Sequence, residues 1–180
     1  MLVTGSRAVG DRLWYAVWTR ARHEKVVRDR LQRRGIETLL PLWKRPSQWK
    51  DRRKVIDEPL FPGYCMVHLS PREVLPVLTT PGVADIVRHQ GQIAPIPEEE
   101  IHALNMIASC GFPCRPHPFL EEGTWVEVVR GPLGGMKGIL LSHDRCAQLV
   151  VVVMLIHQAA TVEIDVRDVT PFHGSPHRQQ

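Results

Sequence analysis

Residues 122–140, EGTWVEVVRGPLGGMKGIL, place a glycine-rich turn between two runs of side chains that favour β-strands. Within the turn, Gly131 and Gly138 suit positions where φ is positive or where two backbones approach closely. Pro132 follows Gly131 and is predicted to belong to the same turn. The stretch therefore predicts a β-hairpin inside a small domain. Three of its side chains are predicted to fill the core of that domain: Trp125, Val129 and Ile139.

The C-terminal third around this hairpin is also predicted to be β-structure. Short turns separate five predicted strands, which are Thr124–Arg130, Gly138–Ser142, Leu149–Ile156, Thr161–Ile164 and Val166–Val169. Because open edges in so small a sheet would invite aggregation, we expect the strands to close into a small β-barrel. The β-branched run at 149–153 favours strands over helices here.

The preceding part of the chain is predicted to mix strands and helices. Leu13–Trp18 is an apolar, aromatic run of strand length. A helix from Ala21 to Gly35 follows, with Val26, Val27 and Leu31 on one face. The remaining predicted elements are a hairpin over 38–57 with its tip at 45–48, a strand over 64–69, a helix opened by a capping box at 70–73, and a helix that begins at 97–100 and buries Ile101, Leu104 and Ile107.

These elements predict an α+β protein of two domains. Three prolines in residues 111–118 favour an extended, poorly packing connector. We predict an N-terminal α/β sandwich of an antiparallel sheet with helices over 12–110, a proline-rich linker over 111–118, a β-barrel domain over 119–173, and a disordered tail over 174–180.

Charge is distributed unevenly along the 180 residues, whose net charge is +4. From Arg20 to Lys54 there are thirteen basic and four acidic residues, an excess of nine. From Phe119 to the end there are five basic and seven acidic residues. Since phosphates attract clustered Lys and Arg, a nucleic-acid contact is predicted in the N-terminal part and not in the C-terminal third.

Several classes of protein do not fit the sequence. No apolar run approaches the roughly 20 residues of a membrane span, and residues 1–11 lack the apolar stretch of a secretory signal, so a cytoplasmic protein without a membrane partner is expected. Cys65, Cys110, Cys114 and Cys146 lack metal-ligand spacing, so reduced thiols, no metal and no cofactor are expected. No phosphate-cradling loop or nucleophile elbow occurs, which predicts no catalytic residues and no enzyme activity.

Two motifs together resemble one protein family. Residues 122–140 resemble a KOW motif. Leu13–Val17 together with Leu60–Tyr64, LFPGY, resembles the N-terminal domain of the NusG family of transcription elongation factors, and the order of parts matches that family from about Leu13 to Val169. The resemblance implies an NGN-type first domain followed by an SH3-like KOW barrel.

The resemblance also implies binding to RNA polymerase. The first domain of the family docks on the clamp helices of the polymerase, keeps the clamp closed and reduces pausing. The residues at the matching positions are Phe61, Pro62, Tyr64, Tyr15 and Trp14. Exposed aromatic side chains are good anchors for a helical partner, and Phe61 is the one most expected at the surface. A core position accounts for Trp14 at least as well.

The hairpin over 38–57 carries a charge run with tryptophans between the charges, which suits phosphates and a stacked base. The residues expected to face nucleic acid are Lys44, Arg45, Trp49, Lys50, Arg52, Arg53 and Lys54. The resemblance implies that this hairpin lies near the upstream DNA fork and the non-template strand. A merely solvated charged face is an equally weighted alternative.

A loop formed by Leu155, Ile156, His157 and Gln158 lies where the barrel of the family meets a small-subunit ribosomal protein or the termination factor Rho. Housekeeping members carry an aromatic residue and an arginine there, whereas this chain has Ile156 and Gln158. This difference and the Trp-bearing hairpin favour a monomeric factor that promotes processive elongation or antitermination on selected operons. The alternatives are a general housekeeping NusG factor and a KOW-containing RNA-binding or ribosome-associated protein.

Overall fold

The computed structural model describes residues 12–49, 52–109, 111, 113–117, 123–143 and 146–172. Within them the helices are α1 (Glu24–Arg33), α2 (Val74–Leu78) and α3 (Glu98–Ser109). The strands are β1 (Leu13–Thr19), β2 (Glu37–Leu39), β3 (Leu42–Trp49), β4 (Arg52–Pro59), β5 (Tyr64–Leu69), β6 (Val83–Ile86), β7 (Arg88–His89), β8 (Gln92–Ile93), β9 (Cys114–His117), β10 (Thr124–Val128), β11 (Lys137–His143), β12 (Cys146–Val153), β13 (Gln158–Ile164) and β14 (Val169–Pro171).

The chain divides into two compact units, and neither is one consecutive stretch of sequence. Unit 1 comprises Met1–Leu39 and Gly63–Ile96, whereas unit 2 comprises Leu40–Pro62 and Pro97–Gln180. The β3–β4 hairpin and helix α3 thus belong to the same unit as the C-terminal strands. The domain boundaries expected from the sequence stay a prediction.

Unit 1 is built on a four-stranded antiparallel sheet with the order β2-β5-β1-β6. The predicted strand at 13–18 is confirmed as β1, and its central residues Ala16 and Val17 are fully buried. Helix α1 buries Val27 and Leu31 but leaves Val26 exposed. The sequence predicted that Val26, Val27 and Leu31 share the core face. This prediction is wrong for Val26, because successive residues of a helix are rotated by about 100° and Val26 therefore points away from the face that buries Val27.

The capping box at 70–73 is confirmed. The backbone N–H and the hydroxyl of Ser70 both donate to Glu73 Oε2, at 2.8 and 2.9 Å. These hydrogen bonds, chiefly the backbone one, lower the pKa of Glu73, and an ion pair with Arg12 acts in the same direction. A 3-10 turn at Pro71–Glu73 then leads directly into α2.

Unit 2 contains a six-stranded antiparallel sheet with the order β14-β10-β11-β12-β13-β9. Apolar side chains of β12 fill its core, with Leu149, Val150 and Val153 fully buried. Helix α3 packs on β12 and, as predicted, buries Ile101, Leu104 and Ile107. The β3–β4 hairpin forms a separate two-stranded sheet.

Three expectations for this region change. The closed barrel is not confirmed, because the pairing found in the described residues runs in an open order with β14 and β9 at its ends. Within the predicted connector, Cys114–His117 pairs with β13 as an edge strand, so the backbone is extended as expected but hydrogen-bonded into the sheet. Val129 is 53% exposed instead of filling the core, because β10 ends at Val128.

Candidate functional site

An aromatic face lies on the sheet of unit 1. Side chains alternate along a strand, so Trp14, Ala16 and Trp18 of β1 share one face. The register places His68 opposite Trp14 and Tyr64 opposite Trp18, on that same face. We call the four residues Trp14, Trp18, Tyr64 and His68 the aromatic face. Trp18 is 55% exposed, whereas the other three are half-buried.

One end of the aromatic face is held by a stack and a hydrogen bond. The rings of Trp14 and His68 lie 5.0 Å apart at an interplanar angle of 13°. Nδ1 of His68 lies 2.9 Å from Oε2 of Glu37 on the neighbouring strand β2. This contact fixes the orientation of the imidazole, and the imidazole in turn supports Trp14.

The other end lies at the turn before β5. Gly63 has a φ of +85°, and a Cβ added to it would lie 3.8 Å from the indole of Trp18. Its N–H donates to Oε1 of Glu24 at 2.7 Å, and its carbonyl accepts the N–H of Thr19 at 2.8 Å. Glu24 is a buried carboxylate at the start of α1, so the helix positions this turn beside Trp18 and Tyr64.

The residues expected to contact the polymerase do not share one environment. Phe61 is 1% exposed, so the expectation that it lies at the surface is wrong. Burial of the large phenyl ring removes much apolar area from water, which stabilises the fold. Pro62, the next residue, is exposed. Tyr15 is buried because it points to the opposite face of β1 from Trp14.

Sequence reasoning missed Trp18 and His68. The alternation of Trp14, Ala16 and Trp18 was the available signal, because it places the two tryptophans on one face of a strand. Which face stays exposed depends on the rest of the sheet. Of the expected residues, Trp14 and Tyr64 are the ones brought together with Trp18.

The β3–β4 hairpin is shifted along the sequence from the predicted range of 38–57, because it spans 42–59. Its strands run to Trp49 and restart at Arg52, so residues 45–48 lie within β3 and are not the tip. Lys44, Arg45 and Lys54 have exposed side chains. Lys50 and the side chains of Trp49, Arg52 and Arg53 lie outside the described residues.

Acidic residues accompany the basic ones at the base of this hairpin. Arg45 forms an ion pair of 2.9 Å with Glu58. Lys44 lies directly opposite Asp57 in the strand register. In the described part of the hairpin, two basic side chains are therefore accompanied by acidic ones.

The loop expected to meet a partner is only partly accessible. Ile156 is 5% exposed at the end of the 3-10 turn Met154–Ile156, so its side chain belongs to the core. Leu155 and Gln158 are half-buried. His157 is exposed and has a left-handed backbone with φ of +49°.

Gly131 and Gly138 occupy the two kinds of backbone position that were expected to require glycine. Gly131 has a φ of +80°. A Cβ added to Gly138 would lie 2.5 Å from the carbonyl oxygen of Val150 on the paired strand, so close approach of two backbones requires glycine there. Pro132 is exposed in the turn.

Two buried groups have perturbed acidity. Burial raises the pKa of the Cys65 thiol to about 12, with a smaller opposing effect of Arg28. Burial also raises the pKa of Glu100 on α3 to about 7, although the nearby backbone N–H of Met154 opposes the shift. In the described part of the chain, no group of three or more His, Cys, Asp and Glu side chains is arranged to hold a metal ion.

The chain was compared with known proteins. The family model NusG, transcription termination factor nusG, matches residues 12–105, more than half of the chain. The transcription termination/antitermination protein NusG of Helicobacter pylori strain J99 is 26% identical over 149 residues, which cover 73% of this chain and 81% of the relative. The NusG of Helicobacter pylori strain 26695 has the same identity and coverage.

A solved structure on domain interaction in Thermotoga maritima NusG has a TM-score of 0.52 and 20% identity, and covers 88% of this chain and 96% of its own. At that identity the likeness concerns the fold. Over the described residues, no helix is long and apolar enough to cross a membrane. Because the family model spans more than half of the sequence, the chain belongs to the NusG family of transcription termination and antitermination factors.

Proposed function

We propose that this chain is a cytoplasmic transcription elongation factor that binds the clamp helices of RNA polymerase and promotes processive transcription or antitermination on selected operons. The aromatic face of unit 1 makes the polymerase contact, and the β3–β4 hairpin meets the upstream or non-template DNA. The sheet of unit 2 is a KOW module whose pairing stays open in the described strands.

Trp18 carries this proposal. An indole that is 55% exposed leaves a large apolar area in water, and tryptophan is among the side chains most often found as binding hot spots. Tyr64 lies directly opposite it, and both belong to the stretch matched by the family model. We therefore assign the central contact to Trp18 and Tyr64, with Trp14 at its edge.

Phe61 has an indirect role in this proposal. Its ring is buried, so it supports the fold and does not touch the polymerase. Pro62 is exposed next to the Gly63 turn, and we assign it to the rim of the contact.

The proposal includes a contact of unit 2 with a small-subunit ribosomal protein or with Rho. Burial of Ile156 leaves His157 as the exposed residue of the partner loop, flanked by half-buried Leu155 and Gln158. We expect any such contact to centre on His157.

Polymerase binding tests the proposal directly. The full chain is mixed with core RNA polymerase, and its dissociation constant is measured by fluorescence anisotropy. We expect Trp18→Ser to weaken binding about thirtyfold or more, because truncating a hot-spot residue costs at least about 2 kcal/mol. Val26→Ser is the matched control, since Val26 is also an exposed apolar residue of unit 1 but lies on α1. Absence of binding by the unchanged chain, or equal binding by Trp18→Ser, overturns the docking model.

Genome-wide occupancy separates the two roles within transcription. A factor that serves selected operons should cross-link to few transcribed genes, whereas presence on nearly all of them would establish the general housekeeping role instead. Co-sedimentation with ribosomes in the absence of polymerase binding would favour the ribosome-associated alternative.

A further inference from the structure

A carboxylate extends the aromatic face by one strand. Trp18 lies opposite Tyr64 on one neighbouring strand and opposite Asp85 on the other. Residues directly opposite in antiparallel strands point to the same face of the sheet, with Cβ atoms about 4.5–5.5 Å apart. The next pair, Val17 and Ile86, is fully buried, as expected for the opposite face. We call the resulting row of a phenol, an indole and a carboxylate, formed by Tyr64, Trp18 and Asp85, the docking row.

Asp85 is accessible to a partner. Its strand β6 is the last in the order β2-β5-β1-β6, and its side chain is 46% exposed. The register between β1 and β6 shifts directly after Trp18, because Thr19 pairs with Val83 and Ala84 is skipped. Irregularities of this kind redirect side chains and are frequent at sheet edges and next to functional sites. The strand irregularity thus lies at the point where the indole and the carboxylate meet.

The carboxylate of Asp85 is held in place and already lies beside a guanidinium. Its Oδ1 accepts the backbone N–H of Ile86 at 2.8 Å, which restricts its rotation. Its Oδ2 lies 3.5 Å from Nε of Arg88. Both side chains of this ion pair are exposed, and ion pairs in water contribute little to stability. Arg88 is therefore a cation that a partner can replace at small cost.

The docking row suits a basic side chain of a partner. The face of an aromatic ring attracts a cation, and tryptophan does so most strongly. A guanidinium is planar, so it can stack on an indole and donate to a neighbouring carboxylate at the same time. Arg20 is also exposed, two residues beyond Trp18, and its charge opposes a cation there. Recognition must therefore come from direct contact with Asp85 and the indole, and not from the net charge of the surface.

We infer that Asp85 determines the specificity of the polymerase contact, and that the docking row takes a basic side chain of the polymerase, preferably an arginine, in place of Arg88. This inference rests on the proposed function, which supplies the partner. It adds a charged determinant to the apolar contact of Trp18, and it states the chemistry of the residue that this determinant selects.

The test measures the dissociation constant of the full chain for core RNA polymerase by fluorescence anisotropy. Asp85→Asn removes the charge and keeps an oxygen that can accept the N–H of Ile86. We expect it to weaken binding about fivefold or more, because a charge-assisted hydrogen bond of the interface is lost. Glu163→Gln is the matched control, since it removes an exposed carboxylate from β13 and gives the same net charge. It should bind within about twofold of the unchanged chain.

Arg88→Gln should have the opposite effect. It frees the carboxylate of Asp85 for the partner, so we expect binding to strengthen about twofold or more. In the Asp85→Asn background, the same substitution should not strengthen binding, because no carboxylate is left to free. Arg33→Gln removes an equal charge from an exposed position on α1 and should act equally in both backgrounds.

Variants of the polymerase identify the other half of the pair. The basic residues of the clamp helices are changed to alanine one at a time, and each variant is combined with the unchanged chain and with Asp85→Asn. For one of them, Asp85→Asn should weaken binding no further.

Three results overturn the inference and leave the proposed function intact. The first is equal binding by Asp85→Asn and the unchanged chain while Trp18→Ser still weakens binding. The second is weaker binding by Arg88→Gln, since Arg88 would then contact an acidic partner itself. The third is that no polymerase variant removes the effect of Asp85→Asn. If the unchanged chain does not bind polymerase at all, the proposed function fails, and this inference fails with it.

Discussion

Trp14 of β1 stacks on His68 of β5 at a ring separation of 5.0 Å, directly across the central strand pair of unit 1. The stack explains why Trp14 is half-buried. Trp18 lies four residues further along β1, on the same face, and is largely exposed. Trp14 is therefore committed to the sheet, and Trp18 is available to a partner.

The stack should have a measurable coupling energy. In a double-mutant cycle with Trp14→Leu and His68→Leu, we expect a coupling of about 0.5–1.5 kcal/mol in the free energy of unfolding, as for other aromatic pairs. Urea denaturation of the four proteins measures it. The same cycle with Trp14→Leu and Leu75→Ala, an exposed position on α2 that is not part of the aromatic face, should give no coupling. Equal values from both cycles would contradict a specific stack.

Phe61→Ala should lower the stability of the protein. Because Phe61 is fully buried, its truncation should lower the free energy of unfolding by about 3–5 kcal/mol. Leu75→Ala, at a position that is 68% exposed, should change the same quantity by about 0.5 kcal/mol or less. Urea denaturation compares them. A Phe61→Ala protein of normal stability that no longer binds polymerase would restore Phe61 as a contact residue.

Gly131 in the turn and Gly138 in β11 should differ in their tolerance of substitution. Gly138→Ala should destabilise the sheet by about 2 kcal/mol or more, because the new Cβ meets the Val150 carbonyl at 2.5 Å and neither backbone can move alone. Gly131→Ala has open space and should cost only about 1–2 kcal/mol for its positive φ. Gly131→Asn should cost less than Gly131→Ala, since asparagine tolerates that conformation. Thermal denaturation ranks the three variants, and the reverse order would contradict this account.

Glu100 should make stability depend on pH. Its pKa is raised from 4.5 to about 7, so between these values the folded state binds more protons than the unfolded state. The free energy of unfolding should therefore fall as pH rises from about 4.5 to about 7, and then level off. Glu100→Gln removes this titration, and at pH 8 it should be more stable than the unchanged chain by up to about 3 kcal/mol. Urea denaturation at pH 5 and pH 8 tests it; an equal pH dependence in both proteins would contradict it.

Cys65 should resist alkylation. Burial holds its pKa at about 12, so almost no thiolate is present at pH 8, and the sulfur is also inaccessible. In native protein treated with iodoacetamide, peptide mass spectrometry should find Cys114, which is half-buried, modified well before Cys65. In urea both should react at similar rates. Early native modification of Cys65 would mean that unit 1 opens locally.

Elements that depend on neighbouring residues could be predicted from the amino-acid sequence. The aromatic run predicted β1, and the spacing of Val26, Val27 and Leu31 predicted α1, although Val26 is exposed. Ser70 and Glu73 predicted the capping box, and LFPGY with the glycine turn made the family recognisable. Each of these follows from backbone sterics and hydrogen bonds over a few residues.

Which side chains face solvent depends on how the strands assemble into sheets. Burial of Phe61, exposure of Trp18 and pairing of Cys114–His117 with β13 all depend on strands distant in sequence. Phe61 and Trp18 are both large aromatic residues, yet they take opposite environments because the surrounding structure determines which positions are covered. For the same reason, the pairing of the exposed residues Pro46 and Val55 became visible only when the register of the hairpin was known.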